Sequence, residues 1–254
     1  MFEESDENIE EDFQILLEDP IKIEYGDIYK LGDHFLMCGD STKINDVDML
    51  LNNNKIDLLF TDPPYNVSFN GRSGNFDVIL NDNLSENDFE IFIDKFIEIV
   101  KIIKIETYYI WCNWKFYGLL QSKLQFTSCI VWAKNVFGMG VGYRHQHEFC
   151  LFNGKIKENI KNETDLWKIS KDVNYIHSTQ KPLELAIRAI KNHDAKNILD
   201  LFGGSGTTLI ASEYLNKKCF MMELDPKYVS LIIKRWEKLT RKKAIKVNIN
   251  IFDI

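Results

Sequence analysis

Seven apolar segments, rich in β-branched and aromatic residues, constrain the fold of this chain more than any other feature. Several are hydrophobic at almost every position, which is typical of strands covered on both faces of a sheet. The predicted strands are His34–Asp40, Ile56–Thr61, Glu106–Asn113, Phe126–Lys134, His147–Asn153, Asn197–Phe202 and Lys218–Leu224.

Helical patterns lie among these strands, with apolar residues at the i, i+3 and i+4 spacing of an amphipathic helix. The predicted helices are Glu86–Ile103, Lys181–His193, Gly206–Asn216 and Pro226–Thr240. Alternation of strands and helices predicts the α/β class, with one doubly wound, mostly parallel sheet.

The net charge of −7 is concentrated at the N-terminus. Residues 1–20 hold nine Asp or Glu and no Lys or Arg, and the remaining residues carry a balance of +2. We expect residues 1–24 to form an acidic arm and residues 25–254 to form the folded domain. No apolar run approaches the roughly 18–20 residues of a membrane span, and no signal-peptide pattern is present. The chain is therefore expected to be cytoplasmic, and its charge neither supports nor excludes nucleic acid as a partner.

The five cysteines lie in or beside apolar segments, and none forms a C-x-x-C pair. This pattern predicts reduced, packed thiols and disfavours zinc ribbons and thioredoxin-like chemistry. The segment HQHE, residues 145–148, has no apparent further ligand, so no metal is expected.

The segment NILDLFGGSGTTLIASEYLN, residues 197–216, predicts a strand, a glycine-rich turn and a helix. Glycines permit a sharp turn and close ligand approach, and a helix N-terminus offers free N–H groups to an anion. The P-loop pattern fails because no Lys-Ser/Thr pair follows the turn, and the dinucleotide pattern fails because Leu209 occupies the third glycine position. The turn alone is compatible with an ordinary strand–helix connection.

Glu223 lies near the end of the next predicted strand. An acid at that place can accept hydrogen bonds from both hydroxyls of a ribose. The glycine turn and Glu223 together predict a site for an adenosine-containing cofactor.

The tetrapeptide Asp62-Pro63-Pro64-Tyr65 directly follows another predicted strand. Ligands of open α/β sheets bind beyond the carboxyl ends of strands, so this tetrapeptide and the glycine turn share a crevice if their strands are neighbours. An exocyclic amine is a poor nucleophile because its lone pair is delocalised into the ring. Asp62 and the Pro63 carbonyl can each accept one amine N–H, and Tyr65 offers a face for base stacking. Taken alone, the tetrapeptide is also compatible with a simple turn.

Four motifs together resemble those of the DNA amino-methyltransferases: TDPPYN (61–66), HSTQKP (177–182), DLFGGSGTT (200–208) and MELD (222–225). The catalytic motif precedes the cofactor motif, as in the β-type members, and the resemblance to phage and prophage members covers about residues 25–243. It implies an S-adenosylmethionine-dependent enzyme with a circularly permuted, Rossmann-like sheet of seven strands. The implied strand order is 3-2-1-4-5-7-6, with strand 7 antiparallel.

The resemblance also implies roles for individual residues. Asp62, Pro63, Pro64 and Tyr65 would form the catalytic tetrapeptide. The implied cofactor-binding residues are Asp40 near the adenine, Thr179 and Lys181 near the methionine carboxylate, Glu223 at the ribose, and Asp200, Phe202, Gly203, Gly204, Gly206 and Thr207 along the methionine and adenosine parts. Lys181 suits that position because its positive charge attracts the methionine carboxylate.

DNA is the partner that the resemblance implies, in a bacterial or phage-encoded protein, and a homodimer is possible by analogy. A target-recognition domain usually precedes the HSTQKP motif, but here only residues 154–176 occupy that place, too few for a separate core. We therefore expect weak or very short sequence specificity. The predicted DNA-binding residues are Phe69, Arg72, Arg144 and Lys155, each of which is also compatible with a role in solubility.

The expected reaction is direct methyl transfer to N6 of a flipped-out adenine, because DPPY resembles the adenine enzymes and SPPY is more usual in cytosine-N4 enzymes. That association is not absolute, so a cytosine-N4 enzyme is the first alternative, followed by an RNA methyltransferase. A non-catalytic subunit is disfavoured because Asp62 and the glycine turn are intact. A nicotinamide-dependent oxidoreductase is disfavoured by Leu209 and leaves the tetrapeptide without a purpose.

Overall fold

A computed structural model of the chain describes residues 20–66, 82–138, 142–170 and 181–247. Within these ranges the strands are β1 (Ile28–Leu31), β2 (His34–Cys38), β3 (Leu58–Thr61), β4 (Tyr108–Cys112), β5 (Ser128–Ala133), β6 (His147–Asn153), β7 (Leu166–Lys168), β8 (Asn197–Asp200), β9 (Lys218–Glu223) and β10 (Ile245–Val247). The helices are α1 (Ile44–Leu51), α2 (Glu86–Ile102), α3 (Trp114–Lys123), α4 (Leu183–Lys191), α5 (Thr207–Tyr214) and α6 (Pro226–Thr240).

The strands of these ranges form one sheet in the order β10-β1-β2-β9-β8-β3-β4-β6-β5-β7. Strands β2, β9, β8, β3 and β4 are parallel neighbours, and β6 runs antiparallel to both β4 and β5. The seven predicted strands correspond to β2, β3, β4, β5, β6, β8 and β9. Their spatial order is the permuted 3-2-1-4-5-7-6 arrangement with an antiparallel seventh strand, so the predicted fold class is confirmed.

Five elements lay outside the prediction because their local patterns are weak. Strands β7 and β10 have three residues each, and β1 has four. Helix α1 has no side-chain hydrogen bond at its N-cap, and α3 contains Gly118 and buries only Phe116 and Leu120. Pairing with neighbouring strands and packing on the sheet, rather than local propensity, define such elements.

Helices cover both faces of the sheet. Leu59 of β3 packs in a core cluster with Phe96 of α2, whereas its neighbours Leu58 and Phe60 pack with Leu185 of α4 on the other face. This alternation follows from the two-residue period of a strand. Burial of each such side chain is worth about 1.5–3 kcal/mol, so the central strands are held from both sides.

Parallel strand direction places the carboxyl ends of β2, β9, β8, β3 and β4 along one edge of the sheet, which we call the carboxyl edge. The opposite edge is the amino edge. None of the helices in the described ranges is both long and apolar enough to cross a membrane. The sheet therefore positions a row of loops along the carboxyl edge, where Asp40, Asp62, Asp200 and Glu223 lie.

Candidate active site

The predicted catalytic tetrapeptide and the glycine turn are joined where β3 and β8 end side by side. Leu59 of β3 lies opposite Leu199 of β8 in the parallel register. Immediately beyond them, the Thr61 hydroxyl donates to Asp200 Oδ1 at 2.9 Å, and Leu201 N–H donates to Thr61 Oγ1 at 3.2 Å. The prediction that the two motifs lie close together in space is therefore confirmed, although 139 residues separate Thr61 from Asp200 in sequence.

The glycine turn uses backbone conformations and spaces that larger residues would not fit. Gly206, with φ +84°, is the N-cap of α5, and a Cβ there would lie 3.0 Å from Ile232. A Cβ on Gly203 would lie 2.9 Å from Met221. Gly204, with φ +51°, has nothing within 4 Å of the corresponding position. Close packing thus accounts for Gly203 and Gly206, whereas Gly204 borders open space.

Glu223 lies beside this turn at the end of β9. Its carboxylate accepts hydrogen bonds from Gly204 N–H at 2.7 Å and from Asp225 N–H at 2.9 Å, one on each oxygen. Burial raises its pKa to about 7 despite these two donors. Asp40 follows β2 on the neighbouring strand, where Gly39 N–H donates to the Glu223 carbonyl at 3.0 Å. The structure thus brings Asp40 and Glu223 together at the carboxyl edge.

Asp200 is 4% exposed and is engaged entirely by the chain itself. Besides the Thr61 hydroxyl, it accepts Phe202 N–H at 3.1 Å and the Thr208 hydroxyl at 2.6 Å. Burial raises its pKa to about 7, against the effect of these donors. Phe202 packs edge-on against Phe96, with ring centroids 5.4 Å apart, and Thr207 is buried at the first position of α5.

Asp62 lies directly beyond β3 and is held by two partners. Lys181 Nζ is 2.6 Å from Asp62 Oδ2, and the Tyr65 hydroxyl donates to Asp62 Oδ1 at 2.5 Å. The Asp62 side chain remains 28% exposed, so it is still accessible at the carboxyl edge. Lys181 was expected near a cofactor carboxylate; its contacts in this structure are with the catalytic tetrapeptide.

Glu148 and Lys134 complete this cluster, and sequence reasoning did not assign either to the site. Lys181 Nζ lies 2.8 Å from Glu148 Oε2, and Lys134 forms an ion pair with the other Glu148 oxygen. Lys134 follows β5 directly and Glu148 is the second residue of β6, so both occupy the carboxyl edge. The sequence carried one signal for Glu148: it is a charged residue within the apolar segment HEFCLFN.

Charge compensation sets the protonation of this cluster. Burial raises the pKa of Asp62, Lys181 opposes the increase, and Glu148 adds to it. Burial also disfavours the Glu148 carboxylate, but Lys181 and Lys134 outweigh it and lower the Glu148 pKa to about 2. Burial disfavours the Lys181 ammonium, yet Asp62 and Glu148 outweigh it and raise the Lys181 pKa. The carboxylates of Asp62 and Glu148 and the ammonium groups of Lys134 and Lys181 therefore compensate each other's charge.

The remaining predicted site residues are not gathered at this cluster. Phe69, Arg72 and Thr179 lie outside the described residues. Lys155 is exposed and follows β6, whose end pairs with the start of β4, so it lies at the amino edge, away from Asp62. Residues 154–170 of the predicted recognition segment include β7, which pairs with β5.

Arg144 lies on the β5–β6 hairpin at the carboxyl edge, within a group of exposed aromatic and basic side chains. Its guanidinium is 4.7 Å from the ring centroid of Phe137, which is 58% exposed. Trp114, 56% exposed at the start of α3, lies with its ring centroid 6.2 Å from that of His145. We call Trp114, Phe137, Tyr143, Arg144 and His145 the hairpin surface. Flat exposed rings beside cations are suited to stacking on nucleic-acid bases. Among the residues that the structure describes, no group of three His, Cys, Asp or Glu side chains is arranged to hold a metal ion.

Comparison with protein families gives a match to the N6/N4 methyltransferase family, described as DNA methylase, over residues 56–234. The chain is 26% identical over 232 residues to the type II methyltransferase M.HinfI of Haemophilus influenzae, covering 74% of this chain and 64% of that protein. It is also 26% identical over 242 residues to the type II methyltransferase M.HpaI of Haemophilus parainfluenzae, covering 80% of this chain and 74% of that protein. The chain thus spans less than two thirds of the first of these relatives.

Solved structures share the fold. The M1.HpyAVI–SAM complex superimposes with a TM-score of 0.55 at 23% identity, covering 79% of this chain and 98% of that chain. The cytosine-N4-specific PvuII DNA methyltransferase superimposes with a TM-score of 0.64 at 16% identity, covering 86% of this chain and 94% of that chain. At these identities the likeness concerns the fold.

Proposed function

This chain belongs to the N6/N4 DNA methylase family, and on that premise we propose that it transfers a methyl group from S-adenosylmethionine to the exocyclic N6 of adenine in DNA. The observation that carries the proposal is the Thr61–Asp200 hydrogen bond, which fastens the strand before Asp62 to the glycine turn. A group that holds an amine and a turn suited to the cofactor therefore border the same crevice.

The residues at the glycine turn fit S-adenosylmethionine. The Glu223 carboxylate is oriented by two backbone N–H groups and has further lone pairs for the ribose hydroxyls. Open space beside Gly204 permits close approach to the backbone. We propose that Glu223 holds the ribose and that Asp40 lies toward the adenine. The other proposed cofactor residues are Asp200, Phe202, Gly203, Gly206 and Thr207.

When bound, S-adenosylmethionine supplies an electrophilic methyl group, whose bond to sulfur breaks as the bond to the amine nitrogen forms. Asp62 accepts one N–H of the target amine and the Pro63 carbonyl accepts the other, which localises the nitrogen lone pair. Tyr65 stacks on the extruded base, and Pro64 stiffens the turn. The surplus amine proton passes to Asp62 or directly to solvent, so no covalent intermediate with the protein is required.

Adenine is proposed over cytosine because the tetrapeptide begins with Asp62 rather than serine. DNA would approach the carboxyl edge, where the hairpin surface offers Arg144 and exposed rings at the same edge of the sheet as Asp62. Phe69 and Arg72 remain proposed DNA contacts, whereas the amino-edge position of Lys155 gives that residue no support. Weak or short sequence specificity and a homodimer also stay predictions.

The proposal is tested by incubating the full chain with DNA and S-adenosylmethionine carrying a tritiated methyl group, then digesting the DNA and identifying the labelled nucleoside. We expect the label in N6-methyldeoxyadenosine. Label in N4-methyldeoxycytidine would replace the adenine proposal with the cytosine alternative, label only in a parallel RNA substrate would indicate an RNA enzyme, and no label would contradict methyl transfer. Mapping of the methylated positions completes the test, because a strict six-base site would contradict low specificity.

A further inference from the structure

The Lys181 ammonium group is the centre of an ionic network that the proposed mechanism does not use. Its three partners are Asp62 Oδ2 at 2.6 Å, Glu148 Oε2 at 2.8 Å and the Tyr65 hydroxyl oxygen at 3.0 Å. The Lys181 side chain is only 8% exposed. Since an ammonium group has three N–H donors, this set engages all of them. Lys181 is therefore committed to the catalytic tetrapeptide and Glu148.

Glu148 contacts both Lys181 and the tetrapeptide, since its Oε2 also accepts the Tyr65 hydroxyl at 3.4 Å. One of its oxygens contacts Lys181 and the other contacts Lys134, so the carboxylate bridges two ammonium groups. Lys134 is itself placed over the Trp132 ring, 4.7 Å from the centroid. Strands β5 and β6 are paired through Trp132 and Glu148, which gives the bridge a rigid base. Groups held on paired strands are positioned more precisely than groups on loops.

The charge of Lys181 needs compensation at this place. Methyl transfer brings positive charge onto the amine that Asp62 holds, and an ammonium group 2.6 Å from Asp62 would oppose that charge in a partly desolvated site. Glu148 supplies a second negative charge, 2.8 Å from the same ammonium group. With Lys134 included, the two carboxylates and two ammonium groups sum to zero charge.

We propose that Glu148, supported by Lys134, is a positioning residue for methyl transfer: it holds the Lys181 ammonium group against Asp62 and cancels its charge near the reacting amine. This inference rests on the proposed function. It gives Lys181 a place beside the target amine rather than at the methionine carboxylate. It also assigns a task to Lys134 and Glu148, which lie outside the four motifs that imply the site residues.

Two isosteric or near-isosteric variants test the proposal because they change the local charge in opposite directions. Glu148→Gln removes a negative charge near Asp62, so ionisation of Asp62 should move to lower pH by about one unit. Lys134→Gln removes a positive charge, so ionisation should move to higher pH. Six ionisable groups face Asp62. They are Tyr65 from its own loop, Cys112 of β4, Glu148 and Cys150 of β6, Asp200 of β8, and Lys181 just before α4.

The first readout is a carbon-13 NMR titration of the Asp62 carboxyl group in the full chain, which needs no turnover. The second is the pH profile of single-turnover DNA methylation, whose acid limb should move in the same two directions. Glu148→Gln should also lower the plateau rate by about tenfold or more, because a hydrogen bond between charged groups is lost, while cofactor affinity stays within about twofold.

Glu237→Gln is the matched control, since Glu237 is 17% exposed and paired with Lys243 near the end of α6, against 19% for Glu148. It should change neither the Asp62 titration nor the methylation rate. Titration shifts of the same sign in both test variants, or none in either, would overturn the inference. Absence of methyl transfer by the unaltered chain would instead contradict the proposed function, while the NMR titration would still judge the positioning role.

Discussion

Asp200 braces the candidate site through hydrogen bonds that come entirely from the chain. Thr61 joins it to the end of β3, Phe202 joins it to the glycine turn, and Thr208 joins it to the first turn of α5. Burial of this carboxylate carries a cost, which the increase of its pKa to about 7 expresses. The residue therefore holds the end of β3, the glycine turn and α5 together, at the expense of stability when it is ionised.

Replacement of Asp200 by asparagine should stabilise the ligand-free protein more at pH 8 than at pH 5. The folded-state pKa lies above the unfolded value, so proton binding favours folding below the unfolded pKa of about 3.9, and this stabilisation is lost as pH rises through about 7. The asparagine side chain does not titrate, so the variant lacks this dependence of stability on pH. Between pH 5 and pH 8 this gain should change by at most roughly 3 kcal/mol, since about two pH units separate pH 5 from the folded-state pKa. The altered hydrogen bonds lower the net stabilisation at both pH values.

Thermal unfolding of the Asp200→Asn variant at both pH values measures this effect. Asp194→Asn is a suitable control, because its side chain is 91% exposed and a surface charge contributes little. An equal difference between Asp200→Asn and the unaltered chain at pH 5 and pH 8 would contradict the assignment of a buried, pH-sensitive carboxylate.

Residue types and spacing predicted Asp62, Glu223 and the glycine turn, since each motif is local in sequence. The partners of Lys181 could not be predicted in that way. Asp62 and Lys181 are 119 residues apart, and their contact depends on how the start of α4 meets the end of β3. Glu148 carried only a weak signal, a charge within an apolar strand, and nothing in the sequence indicated which cation it meets.

At the scale of elements, the β5–β6 hairpin and the start of α3 together form the hairpin surface beside the crevice. Exposed aromatic rings are costly in water, yet Trp114 and Phe137 are each more than half exposed. Arg144 and His145 lie against those two rings and add cationic or polar character. The sequence predicted a DNA contact in this hairpin through Arg144 but not the contribution of α3, a helix too weakly patterned to be predicted.

Trp114→Ala should weaken DNA binding by roughly 5- to 150-fold, because stacking of one base on an aromatic side chain is worth about 1–3 kcal/mol. Fluorescence anisotropy with a labelled oligonucleotide measures the affinity. Tyr214→Ala is the control, since Tyr214 is also about half exposed (48%) but ends α5 at the amino edge. Equal DNA affinity of the two variants would count against the hairpin surface as a DNA contact.

At the scale of the whole molecule, hydrophobic runs predicted the central strands because strands covered on both faces must be apolar. Their spatial order came from the family resemblance, since strand composition alone does not encode neighbours. The short strands β1, β7 and β10 lie at or next to the edges of the sheet, and they escaped prediction because sheet pairing defines them. The result is one carboxyl edge built from segments far apart in sequence, with Asp62 beyond the end of β3 and Glu223 at the end of β9.

The most direct test of the central claim is single-turnover methylation of DNA by the Asp62→Ala variant, with cofactor and DNA saturating. We expect the rate to fall by at least about 100-fold, because the group that holds the target amine is lost, while calorimetry shows cofactor affinity changed only severalfold. A variant that methylates DNA at the rate of the unaltered chain would contradict the assignment of this crevice as the site of methyl transfer.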